Sequence, residues 1–290
     1  MPELDLGLRV SAEEALSGLR TLLDARLDDA GRAWLDGAEA TPAGLREAGR
    51  LGSRALIGSF KERVAATTPG TWGDVPVGEW TVDQAARVWI LARAAEATPE
   101  PYDALFSAYD QGDTETRQAA LRALNLVRPS AVERGLELVL DAGRTYLSVL
   151  LLAAWSGSPF ASQALGQHDF RKAVLKAFFC DVSVEGILGL EARADVELAQ
   201  SLGEFMDERL AAGRTVPRAS WPIAALHPQP GVVARLLGML EHPDPQERRV
   251  AAVGLGRTRD PRVGSFLEER LAREQDDTVR AAIEAALEPK

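Results

Sequence analysis

The sequence predicts an all-α protein, built as an α-α superhelix in which helical hairpins stack into a solenoid. Three observations carry this. Residues suited to start a helix recur along the whole 290-residue chain. Runs that alternate apolar and polar residues with the period of a strand are hard to find. A pattern of aspartate, arginine, a small or branched apolar residue and leucine returns three times at identical internal spacing.

Taken in order, the elements follow from local chemistry. Ser11 and Glu14 form a capping-box pattern ahead of Leu16, Leu19, Leu23 and Leu27, which lie at helical spacing. Thr41 followed by Pro42 suits an N-cap and a first helical position, because proline's missing N–H has no partner there in any case. The stretch TTPGTWGDVPVGEW, 67–80, is irregular, and Trp72 and Trp80 are expected to pin it to the core. Thr81 caps a helix carrying Ala85, Val88, Trp89 and Ala92. Ser130 with Glu133 repeats the capping-box pattern. The apolar run YLSVLLLAAW, 146–155, has ten residues, whereas a membrane span needs roughly 20, so it is read as a buried helix. A long helix is expected from about Glu191 to Ala212, ended by Gly213 as the C′ residue. TVPRASWPIAALHPQPG, 215–231, is a second irregular segment, with Trp221 as its anchor.

The repeat comprises DTETRQAALRAL (113–124), DPQERRVAAVGL (244–255) and DDTVRAAIEAAL (276–287). Its members are Asp113, Arg117, Ala120 and Leu124; Asp244, Arg248, Ala251 and Leu255; Asp276, Arg280, Ile283 and Leu287. Arginine, small residue and leucine fall on one helical stripe, where the small residue lets a neighbouring helix approach and leucine fills the groove. The aspartate accepts from the free amides of the first turn and complements the helix dipole.

Formal net charge is −10, which opposes binding to phosphate backbones and anionic membrane surfaces, so nucleic acid is not an expected partner. The lone Cys180 excludes an internal disulfide. The N-terminal MPELDLGLRVSAEEA lacks the basic start and apolar core of a secretory signal, so a cytoplasmic location is expected. His168, His227 and His242 are far apart, without metal-ligand spacing, and there is no glycine-rich phosphate loop or nucleophile elbow. No cofactor and no catalytic residue are assigned.

The tandem units at 230–290 resemble HEAT-like repeats of the short kind, and 100–128 resembles one more. GRTYLSVLLLAAWSGSPF, the segment DFRKAVLKAFFCDVSVEGILGLEARADVELAQSLGEFMDERLAAGR with the following VPRASW, and the upstream WTVDQAARVWIL are similar to the EboA-domain family. Tyr146, Asp195 and Asp207 stand where the family pattern has Asn, Asn and His. The division expected is an N-terminal helical segment (1–66), an EboA-like helical domain containing one HEAT-like repeat (80–225) and C-terminal HEAT-like repeats (230–290). The resemblance implies a cytoplasmic helical protein encoded with a cluster that makes or exports a small-molecule precursor.

In HDFRKAVLKAFFCD, 168–181, Phe170, Val174 and Phe178 form an apolar stripe of a packed helix, and Cys180 near the helix end is read as structural, because the dipole there disfavours thiolate. Lys176 admits two readings, a snorkelling or salt-bridged side chain and a contact to a ligand anion. With it go Arg144 and Arg193, each placed near a predicted helix start, where the dipole opposes a cation and interhelical carboxylates or a ligand must hold it. Tyr146 and Trp155 complete the candidate ligand-binding set. The function expected is that of a non-enzymatic scaffold or adaptor for a protein partner or a metabolite. The alternative is a small-ligand carrier or enzyme with a pocket around Lys176.

Overall fold

Helix boundaries fall where side chains satisfy the free amides of a first turn. The computed structural model describes residues 10–57, 59–258 and 260–288, whose contacts divide into two units: 1–173 with 186–188, and 174–185 with 189–290. The first unit holds α1 (Ala12–Asp24), α2 (Asp29–Gly37), α3 (Pro42–Glu47), α4 (Phe60–Ala65), the strands β1 (Thr67–Thr68) and β2 (Val75–Pro76), α5 (Val82–Glu96), α6 (Pro101–Gln111), α7 (Thr114–Ala123), α8 (Val132–Arg144), α9 (Ser148–Trp155) and α10 (Pro159–Ala164). The next helix, α11 (Gln167–Phe179), begins in the first unit and ends in the second. The second continues with α12 (Leu190–Arg193), α13 (Val196–Ala211), α14 (Ser220–Ala224), α15 (Pro230–Met239), α16 (Pro245–Thr258), α17 (Gly264–Arg273) and α18 (Asp277–Leu287). The protein is therefore all-α, as the sequence predicts; among the described residues the strands pair only as one antiparallel ribbon, Thr67 opposite Pro76 and Thr68 opposite Val75.

Several caps are those expected. The Ser11 hydroxyl accepts from the Glu14 amide at 3.2 Å, Thr41 from Gly44 at 3.1 Å, and Gln84 Oε1 accepts from the Thr81 amide at 3.3 Å. Ser130 is a correction. The N-cap of α8 is Ala131, and Ser130 Oγ instead accepts from the Tyr102 amide at 3.3 Å, serving the first turn of α6. The expected helix from Glu191 to Ala212 is also corrected: Ala194 is extended, α12 stops before it, and Asp195 accepts from the Leu198 amide at 3.0 Å to start α13. An aspartate at the start of a new dipole outweighs continued helix propensity through it.

The core of the first unit is α5, apolar almost all round: Val82, Ala85, Ala86, Val88, Ile90, Leu91 and Ala92 are all buried. A helix buried on nearly every side, its buried Asp83 and Arg87 included, must be surrounded, and α1, α6 and α7 pack around it. The 67–80 segment is held as its tryptophans suggest. Thr71 donates from its amide to the Asn125 carbonyl at 2.9 Å and from its hydroxyl to the Val127 carbonyl at 2.8 Å. Trp72 Nε1 donates to the Tyr102 hydroxyl at 2.7 Å, and Phe160 stands edge-on to both rings, with centroids 5.0 and 5.6 Å away. Buried Asn125 accepts from Ser158 Oγ and the Phe160 amide at 3.2 and 2.9 Å, and donates to the Arg122 carbonyl at 3.1 Å. Gly135 in mid-α8 is required by this cluster, since a Cβ there would sit 2.6 Å from Phe160 Cζ.

In the second unit the repeat accounts for the packing, and its helices stack in the HEAT-like solenoid manner. Asp244 accepts from the Gln246 amide at 2.9 Å and Asp276 from Thr278 and Val279 at 2.9 and 3.1 Å, each at the start of its helix; in the first unit Asp113 does the same for α7 through Thr116. The arginine four residues on reaches back to carbonyls left free at the end of the preceding helix or in the turn after it. Arg117 donates to Tyr109 and Asp110, Arg248 to His242 and Pro243, and Arg280 to Leu271 and Glu274. One side chain thus caps the helix it starts and another caps the helix before it. Gly256 of α16 lets α18 approach, because a Cβ there would lie 2.7 Å from that of Ala286.

The end of α11 makes a Schellman pattern, with the Val182 amide donating to Ala177 at 2.8 Å and the Asp181 amide to Phe178 at 3.4 Å. Asp181 occupies the left-handed position, φ 51°, where glycine is preferred. Asp181→Gly is expected to raise stability by about 0.5–1 kcal/mol by removing Cβ strain and a negative charge at a helix C-terminus, seen as a higher urea midpoint.

Candidate functional site

Arg144 and Arg193 are not at helix starts. Arg144 is the last residue of α8 and Arg193 the last of α12. A cation at a helix C-terminus is favoured by the dipole, so the reason given for a ligand holding them does not apply. The Arg144 side chain is 78% exposed and lies 3.7 Å from Asp141 Oδ1. Partial burial of Arg193 pulls its pKa down.

Arg144, Tyr146 and Trp155 lie in the first unit, and Lys176 and Arg193 in the second. Tyr146 follows the end of α8 and is 81% exposed. Trp155, at the end of α9, is buried and lines a cavity of about 10 Å³ with Leu165, Phe170 and Ile187; that space suits at most one water molecule. Lys176 is half-buried on α11. Cys180, just past α11, is also half-buried. His227 Nε2 lies 3.0 Å from the Ala194 carbonyl, and His242 Nδ1 accepts from the Asp244 amide at 3.1 Å. Among the described residues no three His, Cys, Asp or Glu side chains are grouped to hold a metal ion.

The most concentrated surface feature of the first unit is the corner between α8 and α9. Leu140, Tyr146, Leu147 and Val149 are all exposed large apolar residues there, with Arg144 among them. The second unit has an open groove of about 470 Å³ lined by Leu255, Asp260, Val263, Leu267, Ala286 and Leu287.

A polar cluster at the start of α5 was missed. Buried Arg87 donates from Nε to the Leu45 carbonyl at 3.0 Å and pairs with Asp83 at 2.7 Å and Glu115 at 2.9 Å. Asp83 also accepts from the Thr81 hydroxyl at 2.6 Å. Arg122 lies with its guanidinium 4.9 Å from the Trp80 ring centroid and donates from Nη1 to Gln84 Oε1 at 3.0 Å. The signal was present in WTVDQAAR, whose Trp80, Asp83, Gln84 and Arg87 are all in the cluster; Arg122 comes from a different helix, so no spacing announces it.

Fold and surface define the class as an all-α protein of helical repeats in which the repeated charges serve packing. The sequence profile of the EboA family, described as metabolite traffic protein EboA, matches residues 53–225, and that of HEAT repeats matches 214–288. The chain belongs to the EboA family. Comparisons with curated proteins and with solved structures gave no significant match. Among the described residues no helix is long and apolar enough to cross a membrane.

Proposed function

We propose that this chain is a non-enzymatic adaptor, acting in the cytoplasm, that engages a protein partner within a system making or exporting a small-molecule precursor. The α8–α9 corner carries this reading. Exposed tyrosine and arginine are the residue types that dominate interface energetics, and here they stand beside exposed leucine and valine in one apolar patch of the kind that marks an interaction surface. The HEAT repeats support it, since stacked helical repeats commonly present extended surfaces to partners. The modular division into 1–66, 80–225 and 230–290 belongs to the same proposal.

Native mass spectrometry of the protein purified from its source tests it, with Tyr146→Ser/Leu147→Ser alongside. Both substitutions are at exposed positions, so helical circular dichroism should be unchanged, whereas a co-purifying protein mass should fall at least about tenfold. Retention of that mass by the variant overturns the adaptor reading. A second reading, a small-ligand carrier, is supported by the family's description as a metabolite traffic protein and by the groove of about 470 Å³, a volume in the range of small-molecule sites. It predicts a bound mass of a few hundred daltons in place of a protein; loss of that mass in Lys176→Ala would locate it at Lys176, and its retention would point to the groove.

A further inference from the structure

The exposed face of α8 is apolar at its middle and charged on either side. With 3.6 residues per turn, Glu137, Leu140 and Arg144 fall within about 60° of one another and share a narrow stripe. Gly135, Leu138, Val139 and Ala142 occupy the opposite side and are buried, so Leu140, 36% exposed, stands near the centre of the side that faces water. The charges flanking it are only partly used. Arg134 donates to Glu137 at 2.6 Å but also to Asp103 at 2.8 Å, one cation between two carboxylates. Arg144 is 3.7 Å from Asp141, beyond hydrogen-bond reach, and that carboxylate already accepts from the Tyr109 hydroxyl at 3.0 Å.

We infer that this stripe seats a second copy of the chain, with the two α8 helices antiparallel. An isologous contact needs a surface that is its own complement. Read from N to C, the stripe runs carboxylate, leucine, guanidinium, and a two-fold axis at Leu140 sets the reversed order against it. Glu137 of each copy then faces Arg144 of the other, while Leu140 faces its own equivalent. Glu137 lies three residues before Leu140 and Arg144 four after, about 4.5 and 6 Å along the axis, so one register satisfies both ion pairs. The formal charge of −10 opposes self-association at long range, but at physiological salt repulsion between exposed charges fades beyond about 8 Å, and the contacts decide. Pairing of this kind rests on the α8–α9 corner being an interface, and it adds a means of regulation. Leu140 and Arg144 belong to the corner, so paired copies cover what the adaptor's partner needs, and that partner binds by displacing one of them.

Sedimentation equilibrium of the intact protein, loaded from about 1 to 200 μM, should show a monomer–dimer equilibrium with a Kd on the order of ten micromolar, as suits a small interface. Glu137→Arg and Arg144→Glu should each weaken the dimer at least about tenfold, because each sets like charges face to face across the axis. Glu137→Arg/Arg144→Glu reverses both signs in both copies and should restore the dimer to within about threefold, whereas a foreign partner, whose charges are unchanged, would not be regained. Both positions are exposed, and helical circular dichroism confirms that each variant is folded. Wild type that stays monomeric throughout overturns the dimer and leaves the adaptor standing, since the adaptor is read from a co-purifying mass other than twice that of the chain. A dimer that ignores the single reversals, or that the double reversal does not recover, overturns it equally.

Discussion

Glu274→Ala is expected to destabilise the second unit by about 3 kcal/mol, the magnitude found when one partner of a buried ionic network is removed. The Glu274 side chain is buried just after α17. Its carboxylate accepts from Arg248 at 2.8 and 2.9 Å, from Arg270 at 2.9 and 2.6 Å, and from the amides of Gln275 and Asp276 at 3.0 Å. Alanine would leave two largely buried guanidiniums without their shared anion and the turn into α18 without its acceptor. Those bonds, the one from Arg248 foremost, hold the Glu274 carboxyl well below the usual carboxylate range. The sign of the pH effect follows from that depression. The unfolded chain binds this proton near pH 4.5, so the network's contribution is complete above that pH and is lost as pH falls toward the lower folded value. Glu274→Gln should cost less at neutral pH and flatten the acid limb. Hydrogen exchange of the α16 and α18 amides, measured at neutral and acidic pH, reads both effects.

Trp72→Ala should cost the first unit about 4 kcal/mol, in the range for truncating a buried aromatic. The indole fills the space beside Phe160 and its Nε1 donates to the Tyr102 hydroxyl, while the backbone carbonyl of Trp72, which alanine retains, accepts from Gln163. Removal leaves a cavity, strips the hydroxyl of its donor and loosens the 67–80 segment from the core. Trp72→Phe keeps most of the volume and loses the hydrogen bond, so it should cost about 1–2 kcal/mol. Urea denaturation of the three proteins checks the order, and equal midpoints for alanine and wild type would show that the segment is not anchored through Trp72.

These two sites show what the sequence made legible. Asp113, Asp244 and Asp276 could be read as helix starts because an N-cap is local: acceptor and amides are two or three residues apart. The part played by Arg117, Arg248 and Arg280 was not legible, although the residues were aligned, because each reaches back across a turn to carbonyls whose positions depend on where the previous helix stops. Ser130 failed for the same reason, since its true partner, Tyr102, lies in another helix. Helix direction decided the candidate site. GRT at 143–145 resembles an entry into a helix, but Thr145 is extended and Arg144 closes α8, which reverses the sign of its interaction with the dipole. The cluster of Trp80, Gln84 and Arg122 lies further from reach, because it exists only once α7 has packed on α5.

Hydrogen exchange of the intact protein, alone and with the partner that co-purifies, tests most directly the claim that the paired charges hold helices together while the α8–α9 corner does the recognising. Protection gained on binding should concentrate at residues 140–149 and leave α16 and α18 unchanged. Protection confined to the helices carrying Lys176 and Arg193, with none at the corner, would contradict the account.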